Sequence, residues 1–171
     1  MEGENRKIRL YGDPILRVIT KPVKKIDKEI QKIIADLKKT MLCQDGLGLA
    51  ANQIGESYAI FVYNPRALGI DQDPIAVINP KIIERQGNQE QEEACLSLPG
   101  IVEVLARPSR VKLIGIDEKG KEITLSGSGL LARVFCHEID HLNGILFIDH
   151  LSKMRRHMLK RQLDSIIEKC K

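Results

Sequence analysis

Apolar residues recur at spacings of three and four in three segments of the chain, a pattern typical of amphipathic helices. The first segment covers residues 26–42, and Asp27 is placed to cap its start. Its apolar stripe consists of Ile26, Ile30, Ile33, Ile34, Leu37 and Met41. We therefore predict an N-terminal helix.

The second segment, residues 128–144, is apolar on most sides and ends at Asn143-Gly144, a usual helix C-terminus. One stripe consists of Leu131, Phe135, Ile139 and Leu142, and another of Val134, His137, Glu138 and His141. Two such stripes predict a helix that is central and buried.

The third segment predicts a C-terminal helix with one apolar and one basic face. Its apolar positions are Leu151, Met154, Met158, Leu159, Leu163, Ile166 and Ile167. The basic residues of the stretch KMRRHMLKRQL, residues 153–163, are most simply the solvated face. Nucleic-acid binding through these basic residues is the less favoured interpretation, because no aromatic residues alternate with them.

Short β-type runs fill the chain between the helical segments. They cover residues 58–63, 75–84, 101–106, 110–117 and 122–125, and the turn DEKG joins the last two. Short strands with brief connections favour antiparallel pairing. We predict an α+β fold in which short antiparallel β-sheets pack around a central metal-binding helix, with an N-terminal helix and a C-terminal helix.

Composition favours one ordinary globular domain over residues 1–171. The chain has 171 residues, 43% hydrophobic and 29% charged, with a mild net charge of +4. No stretch approaches the ~20 apolar residues of a membrane helix, and the first ten residues do not resemble a secretory signal. We therefore expect a cytoplasmic protein with no membrane contact. Its four cysteines, Cys43, Cys95, Cys136 and Cys170, lack C-x-x-C spacing and are expected to be thiols, core residues or metal ligands rather than disulfides.

The pentapeptide HEIDH on the second predicted helix carries the sharpest chemical signal. His137 and His141 stand four residues apart, so both imidazoles project from one helix face and can bind one metal. Glu138 is placed to exchange protons with a water near that metal. The pattern indicates metal-assisted hydrolysis, although a histidine pair buried in a core remains the alternative.

A third ligand must come from elsewhere in the chain. Phe147 stands where metzincin peptidases have their third histidine, which excludes that class. A zincin-like metallopeptidase with Glu168 as third ligand is a weaker alternative. Cys95, in EEACLSLPG, offers a thiolate at a turn and leaves a fourth position open. Cys136 is adjacent to His137 and points about 100° away from the ligand face.

The stretch GLGLAANQIG, residues 46–55, matches the glycine pattern of dinucleotide-binding loops. That pattern needs a strand before the glycines and a helix after them, whereas here a helix precedes and a strand follows. We therefore expect no nucleotide cofactor.

Three ordered segments, GLGLAANQ at residues 46–53, EACLS at residues 93–97 and HEIDH at residues 137–141, resemble the signature motifs of the peptide deformylase family. The stretches YGDPILR and HLNGILFIDHLSK extend the resemblance over nearly the whole chain. It implies an enzyme that hydrolyses the N-formyl group from the formylmethionine of new polypeptides and releases formate. The implied partners are these nascent peptides, with a possible ribosome contact through the basic C-terminal helix.

The resemblance also implies roles for individual residues. Cys95, His137 and His141 would bind one divalent metal, natively Fe²⁺, with Zn²⁺, Ni²⁺ or Co²⁺ able to substitute. Glu138 would be the general acid/base, while Gln53 and the backbone N–H of Leu96 would stabilise the oxyanion. The implied substrate-binding residues are Leu47, Gly48, Glu93, Ala94, Leu130 and Val134. Of these, Val134 and Leu130 would line an apolar methionine pocket, and Gly48 would let the substrate backbone approach.

Two positions depart from the family pattern. Ala94 replaces the usual glycine, which would be costly if the backbone there had a positive φ. Cys136 stands where glutamine is frequent. We expect activity to survive both changes.

Overall fold

The computed structural model describes residues 2–169 and confirms the α+β fold. The helices are α1 (Lys28–Cys43), α2 (Leu130–Leu142), α3 (Lys153–Met158) and α4 (Lys160–Glu168). The strands are β1 (Gly48–Ala50), β2 (Ile60–Tyr63), β3 (Ile75–Gln86), β4 (Gln89–Ala94), β5 (Val102–Arg107), β6 (Arg110–Ile116) and β7 (Glu122–Ser128). Five of them form an antiparallel sheet in the order β1-β2-β3-β6-β7, and β4 and β5 form a separate hairpin.

The five-stranded sheet is covered on both faces. Side chains alternate along β2, so that Ile60 and Val62 belong to the core beneath α1. Phe61 and Tyr63 point the other way and pack against α2, where the ring of Tyr63 meets Phe135 edge to face. The predicted central and buried position of α2 is therefore confirmed.

Helix α1 begins as its sequence predicts, because the Asp27 carboxylate accepts a hydrogen bond from the Ile30 N–H at 3.1 Å. A polar group also occupies the buried side of this helix. The carboxylate of Asp36 is fully buried and accepts hydrogen bonds from the Glu4 N–H, Arg6 and Lys32. These contacts hold the N-terminal segment against α1.

The β4–β5 hairpin carries the turn that contains Cys95. The apolar pattern predicts β5, whose alternate residues Glu103, Leu105 and Arg107 are buried. It misses β4, because the sequence QEQEEA has neither apolar alternation nor strong β propensity. Pairing with β5 from Gln89↔Arg107 to Ala94↔Val102 forms this strand in spite of its composition.

The C-terminal segment is two helices rather than the single one predicted, with a break at Leu159. Leu159 and Leu163 are buried as expected. The prediction is wrong for Met154 and Met158, which are 76% and 65% exposed, because the short helix α3 buries none of its residues. Within residues 2–169, no helix is both long enough and apolar enough to cross a membrane.

Candidate metal centre and active site

The two histidines of α2 and the cysteine that follows β4 converge on one point. The rings of His137 and His141 have centroids 4.9 Å apart, and Cys95 Sγ lies 3.2 Å from His141 Nε2. One potential ligand atom from each of these three residues lies within 4.8 Å of the others. Cys136 instead packs in the core between α2 and the sheet, where burial raises the pKa of its thiol. The structure therefore places Cys136 away from the cluster, as its position beside His137 on the helix predicts.

The three side chains fit a single divalent metal. One thiolate and two imidazoles are donors typical of zinc and ferrous sites, and three protein ligands leave a coordination position open. The fit is supported by the convergence of these three residues, whose potential ligand atoms lie within 4.8 Å of one another.

Glu93 orients the first of these histidines. Its carboxylate accepts a hydrogen bond from His137 Nδ1 at 2.7 Å, which directs Nε2 of the same ring toward the cluster. The same carboxylate also accepts hydrogen bonds from Arg107 at 2.7 Å and 3.1 Å and from Arg133 at 2.8 Å. Burial alone would raise the pKa of Glu93, but the hydrogen bonds from His137 and Arg107 lower it well below its usual range. The carboxylate of Glu93 therefore faces His137, and the substrate contact predicted for this residue stays a prediction.

Arg107 and Arg133 are site residues that the sequence did not reveal. Arg107 also donates to Asp140 Oδ2 at 2.6 Å, and His150 Nε2 lies 2.7 Å from the same oxygen. Both arginines are buried, so Glu93 and Asp140 neutralise charge that would otherwise be costly in the core. The available sequence signal is Arg133 itself, a cation among the apolar residues in the first half of α2.

Glu138 lies in a contrasting environment. Its side chain is buried, and Oε2 has no hydrogen-bond partner among residues 2–169. Burial raises the pKa of this carboxyl to about 7. Such a group can hold or release a proton near neutrality.

Gly48 makes room for Glu138. A Cβ atom added at Gly48 would lie 2.6 Å from Glu138 Oε1 and 2.9 Å from its Cδ, closer than non-bonded atoms approach. The close packing of Gly48 against this carboxyl therefore leaves no room for a side chain at position 48. The predicted approach of a substrate is a second reason for glycine there.

The stretch GLGLAANQIG forms strand β1 and a 3-10 turn at Ala51–Ile54, an order that does not fit a dinucleotide loop. Gln53 Oε1 accepts from the Ala50 N–H at 2.9 Å, while Nε2 donates to Ser97 Oγ at 3.1 Å and lies 3.5 Å from Cys95 Sγ. The side chain of the preceding residue, Asn52, donates to the His141 carbonyl at 2.5 Å. The turn therefore contacts both segments that carry the candidate ligands.

A cavity of about 560 Å³ opens beside this cluster. Its walls include Leu47, Gly48, Gln53, Glu93, Ala94, Cys95, Leu96, Leu130, Val134, His137 and Glu138. Every residue predicted for catalysis or substrate contact therefore lines this cavity. Val134 is buried in the wall, while Leu130 is half-exposed at the rim.

The backbone at Ala94 is not strained. The non-glycine residues with positive φ among residues 2–169 are Asp45 and Asn79, and Ala94 ends β4 opposite Val102. The concern raised by the missing glycine therefore does not apply to this chain. The structure offers no reason for cysteine at position 136 beyond its burial in the core.

A family model described as polypeptide deformylase matches residues 5–157. A peptide deformylase of Thermoanaerobacter pseudethanolicus is 42% identical over 161 residues, covering 94% of this chain and 98% of the relative. The chain belongs to the polypeptide deformylase family. Solved deformylase structures agree with this assignment. One from Legionella pneumophila has a TM-score of 0.88 and 41% identity over 95% of both chains. Another, from Thermus thermophilus, has a TM-score of 0.88 and 39% identity, covering 96% of this chain and 98% of that one.

Membership of the deformylase family leaves the zincin-like alternative unsupported. Glu168, its proposed third ligand, is exposed at the last residue of α4 and lies outside the matched residues 5–157. Cys95 instead lies beside both histidines.

Proposed function

We propose that the cavity beside α2 is where this chain carries out its deformylase reaction. The chain is a hydrolase that removes the N-formyl group from the N-terminal formylmethionine of new polypeptides and releases formate. One observation carries the assignment of this reaction to the cavity. The ligand atoms of Cys95, His137 and His141 converge next to the buried carboxyl of Glu138, whose Oε2 has no partner among the described residues.

In this proposal Cys95, His137 and His141 hold one divalent metal ion. Fe²⁺ is the proposed native ion, with Zn²⁺, Ni²⁺ or Co²⁺ able to substitute, because a thiolate with two imidazoles accepts all of them. When bound, the metal supplies Lewis acidity toward water and toward the substrate carbonyl. Glu93 fixes the tautomer of His137, since its carboxylate requires the proton to be on Nδ1.

Glu138 transfers the proton. In the proposed sequence its carboxylate accepts a proton from the attacking water, and the water oxygen forms a bond to the formyl carbon. The protonated Glu138 then gives this proton to the amine nitrogen as the C–N bond breaks. The products are a free N-terminal amine and formic acid, and the acid loses its proton to give formate. The unpartnered Oε2 supports this role, because a lone pair already used by a neighbour could not accept the proton.

Gln53 and the Leu96 N–H are the proposed donors to the formyl oxygen. Preorganised donors of this kind are each worth about 3 kcal/mol in transition-state stabilisation. Gln53 is held ready by its hydrogen bonds to Ala50 and Ser97. For the methionine side chain, Val134 and Leu130 offer apolar walls, and the proposed contacts of the peptide backbone are with Leu47, Gly48 and the backbone of Glu93 and Ala94.

The proposed location is the cytoplasm, where nascent formylated chains emerge from the ribosome.

The basic face of α3 is a secondary proposal for a ribosome contact. It is supported by Lys153, Arg155 and Arg156 together with the exposed Met154 and Met158 on the same short helix. Ribosome association that does not weaken with rising salt would contradict it.

The test combines formate release from formyl-Met-Ala-Ser with metal analysis of anaerobically purified protein. We expect about one divalent metal per chain and turnover in the native protein. Cys95→Ser should lose most of the metal and the turnover, whereas the matched change Cys43→Ser, at an exposed cysteine, should lose neither. Full metal content in the Cys95 variant would remove Cys95 from the ligand set, and no turnover with either iron or zinc would overturn the proposal.

A further inference from the structure

The two candidate histidine ligands are held in different ways. The ring of His137 is held through Nδ1, which lies 2.7 Å from the Glu93 carboxylate. The Nδ1 atom of His141 is buried and has no hydrogen-bond partner among residues 2–169. An imidazole that binds a metal through Nε2 carries its proton on Nδ1, and an acceptor for that proton usually fixes the ring. The position of His141 therefore depends on other contacts.

Asn52 holds the backbone of His141. Its side chain is fully buried, and Nδ2 donates to the His141 carbonyl at 2.5 Å. This carbonyl lies in the last turn of α2, where the helix itself supplies no N–H four residues further on. The Gly144 N–H also donates to it, at 3.0 Å. The side chain of Asn52 therefore joins the turn that carries a candidate ligand to the 3-10 turn at Ala51–Ile54.

The oxygen of the same amide is free. Asn52 Oδ1 is buried and, within the described part of the chain, has no hydrogen-bond partner. Five buried side-chain atoms of residues 2–169 share this property, and two of them belong to Asn52 and His141, which are already joined by a hydrogen bond. Buried polar atoms without partners are costly, so two of them on one contacting pair indicate a function beyond packing.

The turn that contains Asn52 is itself well anchored. Gln53 Oε1 accepts from the Ala50 N–H at 2.9 Å, and Nε2 donates to Ser97 Oγ at 3.1 Å. The Gln53 carbonyl accepts from the Arg9 N–H at 2.7 Å. These contacts leave the turn little freedom, so Asn52 is a fixed point against which His141 can be placed.

We propose that Asn52 is a positioning residue for His141 as a metal ligand. Its Nδ2 fixes the backbone of the ligand, and its free Oδ1 is available to accept the proton on Nδ1. Asn52 thus serves His141 as Glu93 serves His137, with a neutral amide in place of a carboxylate. The inference rests on the proposed function, because it takes Cys95 and the two histidines as ligands of one ion.

The test measures the zinc affinity of the metal-free protein by competition with a chelator, together with its denaturant unfolding midpoint. Asn52→Ala removes the amide, and Asn52→Leu removes it while keeping the volume of the side chain. Both variants should fold, because the Gly144 N–H still satisfies the His141 carbonyl. We expect zinc to bind about tenfold to a hundredfold more weakly in both, the loss usual when a partner of a metal ligand is removed. The absorption bands of the cobalt-loaded variants should also change, because they report the geometry around the ion.

Asn79→Ala is the matched control. Asn79 also bonds to the main chain, to the N–H and the carbonyl of Val23 at 2.8 Å each, but it does not line the reaction cavity. This variant should unfold at a lower midpoint and keep the native zinc affinity and cobalt spectrum. Native zinc affinity in both Asn52 variants, or an equal loss of affinity in Asn79→Ala, would overturn the inference while the proposed function stands. Full zinc affinity in Cys95→Ser, or no zinc binding by the native chain, would instead overturn the ligand set of the proposed function.

Discussion

Glu93 and Glu138 are two buried carboxyl groups near the same histidine, and their surroundings are opposite. Glu93 contacts the ring of His137, and Glu138 follows His137 in the chain. Glu93 accepts hydrogen bonds from His137, Arg107 and Arg133, and its pKa is lowered. Glu138 has an oxygen without a partner among the described residues, and burial raises its pKa. The neighbours, rather than the residue type, decide which carboxylate is a fixed anion and which is free for proton transfer.

The largest expected effect comes from removing the free carboxylate. Glu138→Gln keeps the size of the side chain but cannot accept the proton, so kcat should fall about a thousandfold. Metal content, measured on the same sample, should be unchanged. The matched control is Glu90→Gln on the exposed part of β4, which should keep the native rate. Near-native turnover in Glu138→Gln would show that Glu138 does not transfer the proton, and its contrast with Glu93 would then have no part in catalysis.

Substitution of Glu93, the fixed anion, should lower the free energy of unfolding more than it lowers kcat. Glu93→Gln leaves Arg107 and Arg133 buried beside a neutral group, and breaking such a network costs about 3 to 5 kcal/mol of unfolding free energy. Weaker orientation of His137 should also reduce metal affinity by about 10-fold to 100-fold. Denaturant unfolding and metal titration measure the two effects. A variant as stable as the native protein would show that Glu93 is dispensable to the core.

A smaller effect tests the space around Glu138. Gly48→Ala places a methyl group against this carboxyl, and the displacement should lower kcat by about tenfold to a hundredfold with the metal retained. Gly46→Ala is the matched control, because a Cβ there would come no closer than 3.4 Å to its neighbours. Equal losses in the two variants would mean that general crowding of the cavity, not displacement of Glu138, lowers the rate.

The smallest effect is expected at Ala94. Since its φ is not positive, Ala94→Gly relieves no strain and adds flexibility within a strand, at a cost of about 0.5 to 1 kcal/mol. Even if this whole cost appeared in the activation barrier, formate release would fall by no more than about fivefold. A large gain in rate would show that the family's glycine acts through the substrate rather than through the backbone of β4.

Much of the fold was predictable because helix signals are local. Asp27 caps α1 as its position indicates, and Gly144, which has a φ of 71°, follows the end of α2. The spacing of HEIDH places both histidines on one face of α2. That Cys95 joins them depended on elimination and on the family resemblance, because it is 46 residues from His141 in the chain.

The missed features depend on contacts that are distant in sequence. Strand β4 has the composition of a solvated loop and forms because β5 pairs with it. Glu93 meets Arg107 and Arg133, which are 14 and 40 residues away, and nothing in the local pattern marks these three as partners. The break at Leu159 likewise separates two helices that share one continuous polar and apolar pattern.

The positions of the three candidate ligands have a mechanical consequence. Cys95 belongs to the hairpin and is packed with the cluster formed by the N- and C-terminal segments, whereas both histidines belong to the helix against the sheet. A metal held by all three would act as a cross-link between these separately packed parts. Opening of the hairpin would then require a ligand to dissociate, so the main-chain amides of β4 would exchange with solvent more slowly in the loaded protein than in the metal-free one.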